Sequence, residues 1–380
     1  MDFSYSDEQK ELRELARKIL CDLASNERLK DVEAKTPVFD PELWGELARA
    51  NLLGLAVDES YGGLGFGFFE LCLLLQEVGR AVAPVPVYAT SLLGALPIAA
   101  FGSDEQKRDW LPRVASGEAI LSGALVELAA TDVCDVQTTA TPSGDGFRLR
   151  GEKSLVPAGS LAARIVVPAR LGEDVALFLL DPTARGVRVE RQKTTDRQPY
   201  AHLTLDDALV PGSERLPGAG SGTGALRWLA DRATLGLCAI QLGVGERALE
   251  MTAQYARERI QFDRPIGSFQ AVHQRAGDAF IQMEAIRVTF LEAALLLAAG
   301  ETGPHVDDAV AVAKYWASEG GQFTAYACQH LHGGIGIDVD YPLHRYFIWS
   351  SQIEHSLGCA SEQLQRLGSR IASRGIPTPA

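Results

Sequence analysis

The stretch YARERIQFDRPIGSFQAVHQR, Tyr255 to Arg275, closes one long run of helical periodicity and opens another. Asp263-Arg264-Pro265-Ile266-Gly267 lies between the two. Proline and glycine this close together punctuate a chain, so the two helices must fold back on each other. The turn also gathers Arg257, Arg259 and Arg264 with Phe262 and Gln270 at one end of the helical pair. Guanidinium groups beside an aromatic ring suit an anion joined to a ring system.

Working outward, Trp228 to Phe262 reads as one long helix with Leu235, Cys238, Leu242 and Val244 on its apolar side. A second helix is expected from Phe269 to about Ala299, a turn over Gly300–His305, and a third helix from about Val306 to Leu331. The glycines of HGGIGI end that one, and a last helix lies between Glu362 and Ile371. Long helices with short turns predict an antiparallel four-helix bundle. Upstream, Ile165-Val166-Val167, Val175–Leu180, Val187-Arg188-Val189 and His202–Leu205 are short apolar or alternating runs between turn residues. They predict a small antiparallel sheet or barrel from about 119 to 215, with Pro211–Thr223 as its exit linker. The first third is helical. Ser6-Asp7-Glu8-Gln9 opens a helix to about Leu23, and Ser103-Asp104-Glu105-Gln106 is a second capping signature. Pro41, Phe68 and Tyr88 start others, and Tyr61–Gly65 is a glycine connection too short for a phosphate cradle. The expected class is α+β, divided into a helical domain (1–118), a β domain (119–222) and a helical bundle (223–380).

A chain of 380 residues with 46% hydrophobic and 22% charged content suits two or three globular domains. The net charge of -13 argues against nucleic acid as a partner. Six scattered cysteines without a CxxC pair read as free thiols in a reducing, cytoplasmic setting, with no metal site. The opening MDFSYSDEQKELREL is polar and does not read as a secretory signal, and no apolar run reaches membrane-spanning length.

Arg259, Phe262 and Gln270 occur with a second glycine-rich turn, Gly333-Gly334-Ile335-Gly336. Arginine supplies charge and glycine allows close backbone approach, which together suit a phosphate-bearing ligand. Taken singly, Arg259 could serve only the end of its helix and Phe262 only plug the bundle. On YARERIQFDRPIGSFQAVHQRAGDAF, and on HGGIGI followed by Tyr341-Pro342, the chain resembles the acyl-CoA dehydrogenases over nearly its whole length. The resemblance implies FAD, an acyl-CoA thioester as substrate, and an electron-transfer flavoprotein as acceptor. In that family a glutamate removes the α-proton and a hydride leaves the β-carbon for the flavin. The resemblance also implies a cofactor shared between subunits. Arg259, Phe262, Phe269, Gln270, His330, Gly333 and Gly334 would hold the diphosphate and adenosine end of a neighbour's FAD.

The departures from the family pattern are uneven. Asp263 stands for a usual glycine, and His330 for a usual glutamine. The loop against the flavin ring corresponds to Val126–Asp132, without its proline, glycine and serine. A second family motif after it corresponds to Lys153–Pro157. There Leu155 replaces the stacking aromatic, and Pro157 replaces the residue that hydrogen-bonds the flavin. Proline has no N–H to give. The usual glutamate position falls on Leu357, which cannot take a proton. The alternative position on the long helix is Ala233, with Asp231 two residues earlier. Asp231 is a candidate displaced base, or a carboxylate placed by the helix dipole. Glu354 is a second substitute, or a solvated surface group. His332 and His344 flank the glycine motif, where packing or phosphate contact suits them better than catalysis.

Two readings follow. In one, the chain is the non-catalytic half of a heteromeric acyl-CoA dehydrogenase, as in the α2β2 enzymes of actinobacterial steroid side-chain degradation. It would lend the trans half of the FAD site to a second dehydrogenase-like subunit. In the other it is a self-sufficient homo-oligomeric enzyme acting on a fatty-acyl or steroid thioester with a relocated base such as Asp231.

Overall fold

The computed structural model describes residues 4–374. Its order is helices, sheet, helices. The first group is α1 (Asp7–Leu23), α2 (Asn26–Glu33), α3 (Pro41–Arg49), α4 (Phe68–Ala81), α5 (Leu96–Phe101) and α6 (Asp104–Ala115). Their starts are written in the sequence. Ser6 Oγ accepts from the Gln9 amide at 3.2 Å, and Asp40 accepts from the amides of Glu42 and Leu43. Ser103 and Gln106 form a reciprocal capping box. The run from Tyr88 is helical as expected, but Tyr88–Ala95 winds as a π-helix before entering α5.

The sheet comprises β1 (Leu121–Gly123), β2 (Thr139–Ser143), β3 (Gly146–Pro157), β4 (Arg164–Leu171), β5 (Asp174–Leu180), β6 (Val187–Gln192) and β7 (Tyr200–Pro211). Its order is β1-β4-β2-β3-β7-β6, with β5 on β4. It is mostly antiparallel, but β1 and β2 each pair with β4 in parallel. A small antiparallel sheet or barrel was expected because runs separated by short turns suggest hairpins, and the sheet is largely that. The parallel contacts come from loops that carry the chain across before it pairs. Leu149, Ile165, Val167, Phe178 and Leu203 form the core beneath the sheet.

The last group begins with α7 (Gly222–Glu258), continues through the two-residue strands β8 (Ile260–Gln261) and β9 (Arg264–Pro265), and then α8 (Gln270–Ala298), α9 (Pro304–His332), α10 (Leu343–His355) and α11 (Ala360–Arg374). α9 packs against α8, α10 and α11. α2, β3 and α10 were not expected, and α7 starts six residues before Trp228.

By contact the chain divides into two units. One holds the residues up to Lys10, Leu75–Ala83 and everything from Thr234 onward; the other holds Glu11–Leu74 and Pro84–Ala233. The units follow contact and not chain order, so the boundaries at 118 and 222 remain a proposal. Among the described residues no helix is long and apolar enough to cross a membrane.

Candidate functional site: an exposed clamp at the end of the C-terminal helices

The opening stretch folds as a β-hairpin between α7 and α8. Gln261 pairs with Arg264 and Ile260 with Pro265, leaving Phe262 and Asp263 as the turn. Both have positive φ, 52° and 60°. That is the pattern of the primed hairpin turn, which Asn, Asp and Gly adopt easily and phenylalanine does not. Phe262 is nevertheless there and is 86% exposed. Its one described ring contact is edge-on to Phe269, with centroids 6.1 Å apart. The Arg264 guanidinium lies 4.1 Å from the centre of the Phe269 ring. Arg259 is exposed at the hairpin base, where its carbonyl accepts from the Ile266 amide at 2.8 Å. Gly267 is required by close approach, since a Cβ there would meet the Ala256 carbonyl oxygen at 2.9 Å. Gln270 is exposed at the first turn of α8.

The second glycine turn follows α9. Gly333 has φ 65° and ψ -143°, a region that costs any residue with a Cβ. Gly334 has no such demand, and a Cβ on it would meet nothing within 4 Å. Its lack of a side chain serves nothing inside this chain. Both glycines and His330 are exposed. His332, just before them, is buried and stacks on Tyr255 with centroids 4.5 Å apart. Its Nδ1 lies 2.8 Å from the Cys328 carbonyl oxygen and its Nε2 3.1 Å from Tyr341 Oη. Burial pushes the imidazole below its ordinary pKa. His344 is likewise packed, with Nδ1 2.8 Å from the Tyr341 carbonyl.

The loop where the resemblance would place the base has left-handed backbone at two consecutive residues. Leu357 has φ 55° and Gly358 φ 99°. α10 stops just before them because Lys314, fully buried on α9, donates to the Ile353 and Glu354 carbonyls at 2.9 and 3.2 Å. Ser318 Oγ takes the third Lys314 donor at 2.7 Å. Burial pushes Lys314 down to about 8. Glu354 was weighed as a solvated carboxylate; instead it is largely covered, and Gln322 donates to its Oε1 at 3.0 Å.

The positions expected at the flavin ring lie in the other unit. Lys153, wholly buried, reaches Glu127 at 2.6 Å. Glu127 also accepts from the amides of Gln137 and Thr138 at 2.6 and 3.1 Å. Burial alone would raise the Glu127 pKa, but the Lys153 charge and these donors hold it below the usual value. Leu155 has φ 51°, and its amide donates to Gln192 Oε1 at 2.7 Å. The Pro157 carbonyl accepts from Ser122 Oγ. The backbone of this motif is therefore secured inside the β domain, but it offers neither an aromatic ring nor an N–H at those two positions.

Asp231 stands nine residues into α7 from Gly222, about two and a half turns, so the helix-terminus explanation does not apply to it. It is partly buried beside Arg232, whose guanidinium lies 3.9 Å from the centre of a Trp228 ring. The Ala233 carbonyl accepts from Tyr88 Oη at 3.2 Å. One carboxyl escaped the sequence reading. Asp196, in the turn before β7, is buried, and burial pushes it up to about 6 despite donors from Thr194 Oγ1 and the Gln198 amide. The TTDRQP run looks like an ordinary polar turn, and nothing in it signals burial.

Two family models match the chain: the N-terminal domain of acyl-CoA dehydrogenase over residues 6–118 and its C-terminal domain over residues 220–371. The chain belongs to the acyl-CoA dehydrogenase family. It is 38% identical to acyl-CoA dehydrogenase FadE27 of Mycobacterium tuberculosis, over the full length of both. Among solved structures it superposes on the ChsE4-ChsE5 complex from Mycobacterium tuberculosis with TM-score 0.92 and 38% identity, covering all of both chains. It also superposes on a point variant of the Tcur3481-Tcur3483 steroid ACAD with TM-score 0.90 and 46% identity, covering 97% of this chain and 98% of that one. The family cofactor is FAD. Exposed Arg259, the exposed Phe262 ring and the open backbone of Gly333 and Gly334 are groups of the kinds that its diphosphate and adenosine require. Leu155 and Pro157 do not fit its ring.

Proposed function

We propose that this chain is the non-catalytic subunit of a heteromeric, FAD-dependent acyl-CoA dehydrogenase, and that it lends the phosphate and adenosine half of the flavin site to a second dehydrogenase-like subunit. The observation that carries the reading is Phe262 at the hairpin tip, held at positive φ and 86% exposed. Backbone strain kept on an exposed apolar side chain points to a contact outside the chain. Gly334 supports it, since nothing within the chain requires that glycine. Arg259 would pair with phosphate, Phe262 and Phe269 would pack the nucleoside end, and Gln270, His330, Gly333 and Gly334 would close around it. The flavin, when bound, supplies the hydride acceptor. Leu357, Leu155 and Pro157 leave proton abstraction and the ring contact to the partner.

Both solved relatives named above carry two chain names each, and one is called a steroid ACAD. We therefore assign the present chain to an α2β2 assembly that desaturates an acyl-CoA with a steroid side chain or similar bulky acyl group. An electron-transfer flavoprotein would take the electrons, in the cytoplasm. The test is acyl-CoA-dependent reduction of a dye. The purified chain alone should give none, and the chain co-purified with a second dehydrogenase-like subunit should turn over. Turnover by the chain alone overturns the reading in favour of a self-sufficient enzyme with Asp231 as the first base to examine.

A further inference from the structure

We propose that His332 is a positioning residue that joins the two halves of the clamp, the hairpin after α7 and the glycine turn after α9, into one rigid part. This deepens the reading above and rests on it for its functional meaning. The geometry stands without it.

The two halves arrive from different helices. Tyr255 lies in the last turn of α7, where its carbonyl accepts from the Arg259 amide at 2.8 Å, and His332 is the last residue of α9. Their rings stack at 4.5 Å with an interplanar angle of 20°. Tyr341, from the segment leading into α10, closes on the same imidazole with ring centroids 5.3 Å apart. The two polar contacts of the imidazole fix its tautomer. A carbonyl oxygen only accepts, so Nδ1, at 2.8 Å from the Cys328 carbonyl, must carry the proton. Nε2 then has a lone pair and accepts from Tyr341 Oη at 3.1 Å. A single neutral ring thus satisfies the last turn of α9, holds the Tyr341 segment and packs on the end of α7. The chain leaves α9 through Gly333 at φ 65° in the very next residue. Where His332 sits therefore sets where Gly333 and Gly334 point relative to Arg259. His332 touches no ligand in this arrangement. It acts through its neighbours.

The test begins on the full chain alone. Nitrogen chemical shifts of labelled histidine at pH 7.5 should report His332 as the Nδ1–H tautomer. The Nε2–H tautomer or the imidazolium overturns the proposal. Amide hydrogen exchange is then compared in wild type, Tyr341→Phe and His332→Gln. Exchange should rise by about fivefold or more in the hairpin, 260–266, and in the glycine turn, 333–337, together, with β3 to β7 unchanged. Unchanged exchange in the hairpin in both variants overturns the proposal, because His332 would then serve its own helix only. In the assembled complex Tyr341→Phe should release FAD about fivefold faster. Arg259→Ala separates the two claims: it should speed FAD release with hairpin exchange unchanged. If exchange does not couple and only Arg259→Ala changes release, the clip fails and the shared-flavin reading stands. If exchange couples but neither variant changes release, the clip stands and that reading fails.

Discussion

Lys153 Nζ sits 2.6 Å from Glu127 Oε1, and both side chains are buried in the β domain. They belong to the two segments, Val126–Asp132 and Lys153–Pro157, that the family resemblance would place at a flavin ring. Their pairing, with the Gln137 and Thr138 amides on Glu127, ties the two segments together. Removing one partner leaves a buried charge alone, which is the costly case. Lys153→Met should lower unfolding stability by about 3 kcal/mol in urea titration. The double variant Glu127→Gln, Lys153→Met should recover part of that loss.

Lys314 offers a pH test. Burial lowers its pKa from 10.5 to about 8, so the unfolded chain holds the proton more tightly between those values. Stability from this group therefore rises as pH climbs from about 8 toward 10.5, and is lost as pH falls back through 8. Lys314→Met removes the dependence. Wild type should gain stability relative to Lys314→Met as pH rises across that window, by up to about 3 kcal/mol, read from their melting temperatures.

The two glycines of the clamp should behave differently on substitution. Gly333→Ala meets a backbone that L residues avoid and should cost about 1–3 kcal/mol in stability. Gly334→Ala meets open space and should change stability by less than about 0.5 kcal/mol. Gly334→Ala should still weaken FAD retention in the assembled complex by roughly tenfold, through lost close approach. Fluorescence of released flavin measures it. Unchanged retention would place that glycine outside the flavin contact.

Asp231 separates the two functional readings by mutation. In a non-catalytic subunit, Asp231→Asn should leave turnover of the complex within about twofold. A loss of roughly 100-fold or more in kcat would mark it as a general base.

The long helices and their caps were legible because helical period and capping chemistry are local, as Ser103 and Gln106 illustrate. The clamp residues were legible as a motif. The hairpin that displays them was not, since Phe262 adopts a conformation its side chain disfavours. β3 was hidden because Arg148, Arg150, Glu152 and Lys153 interrupt the apolar alternation that marks a strand. α10 was hidden by buried polar residues such as His344 and Arg345, which break the apolar stripe a helix usually shows. Burial of Asp196 and the His332 stack depend on elements distant in sequence, which spacing cannot report.

The visible absorbance spectrum distinguishes a chain that holds the flavin ring itself from one that only lends a partner its phosphate contacts. The chain purified alone should be colourless, and the chain co-purified with its catalytic partner should carry about one FAD per pair of subunits. A yellow protein from this chain alone, with close to one FAD per subunit, would contradict the assignment of the flavin ring to another subunit.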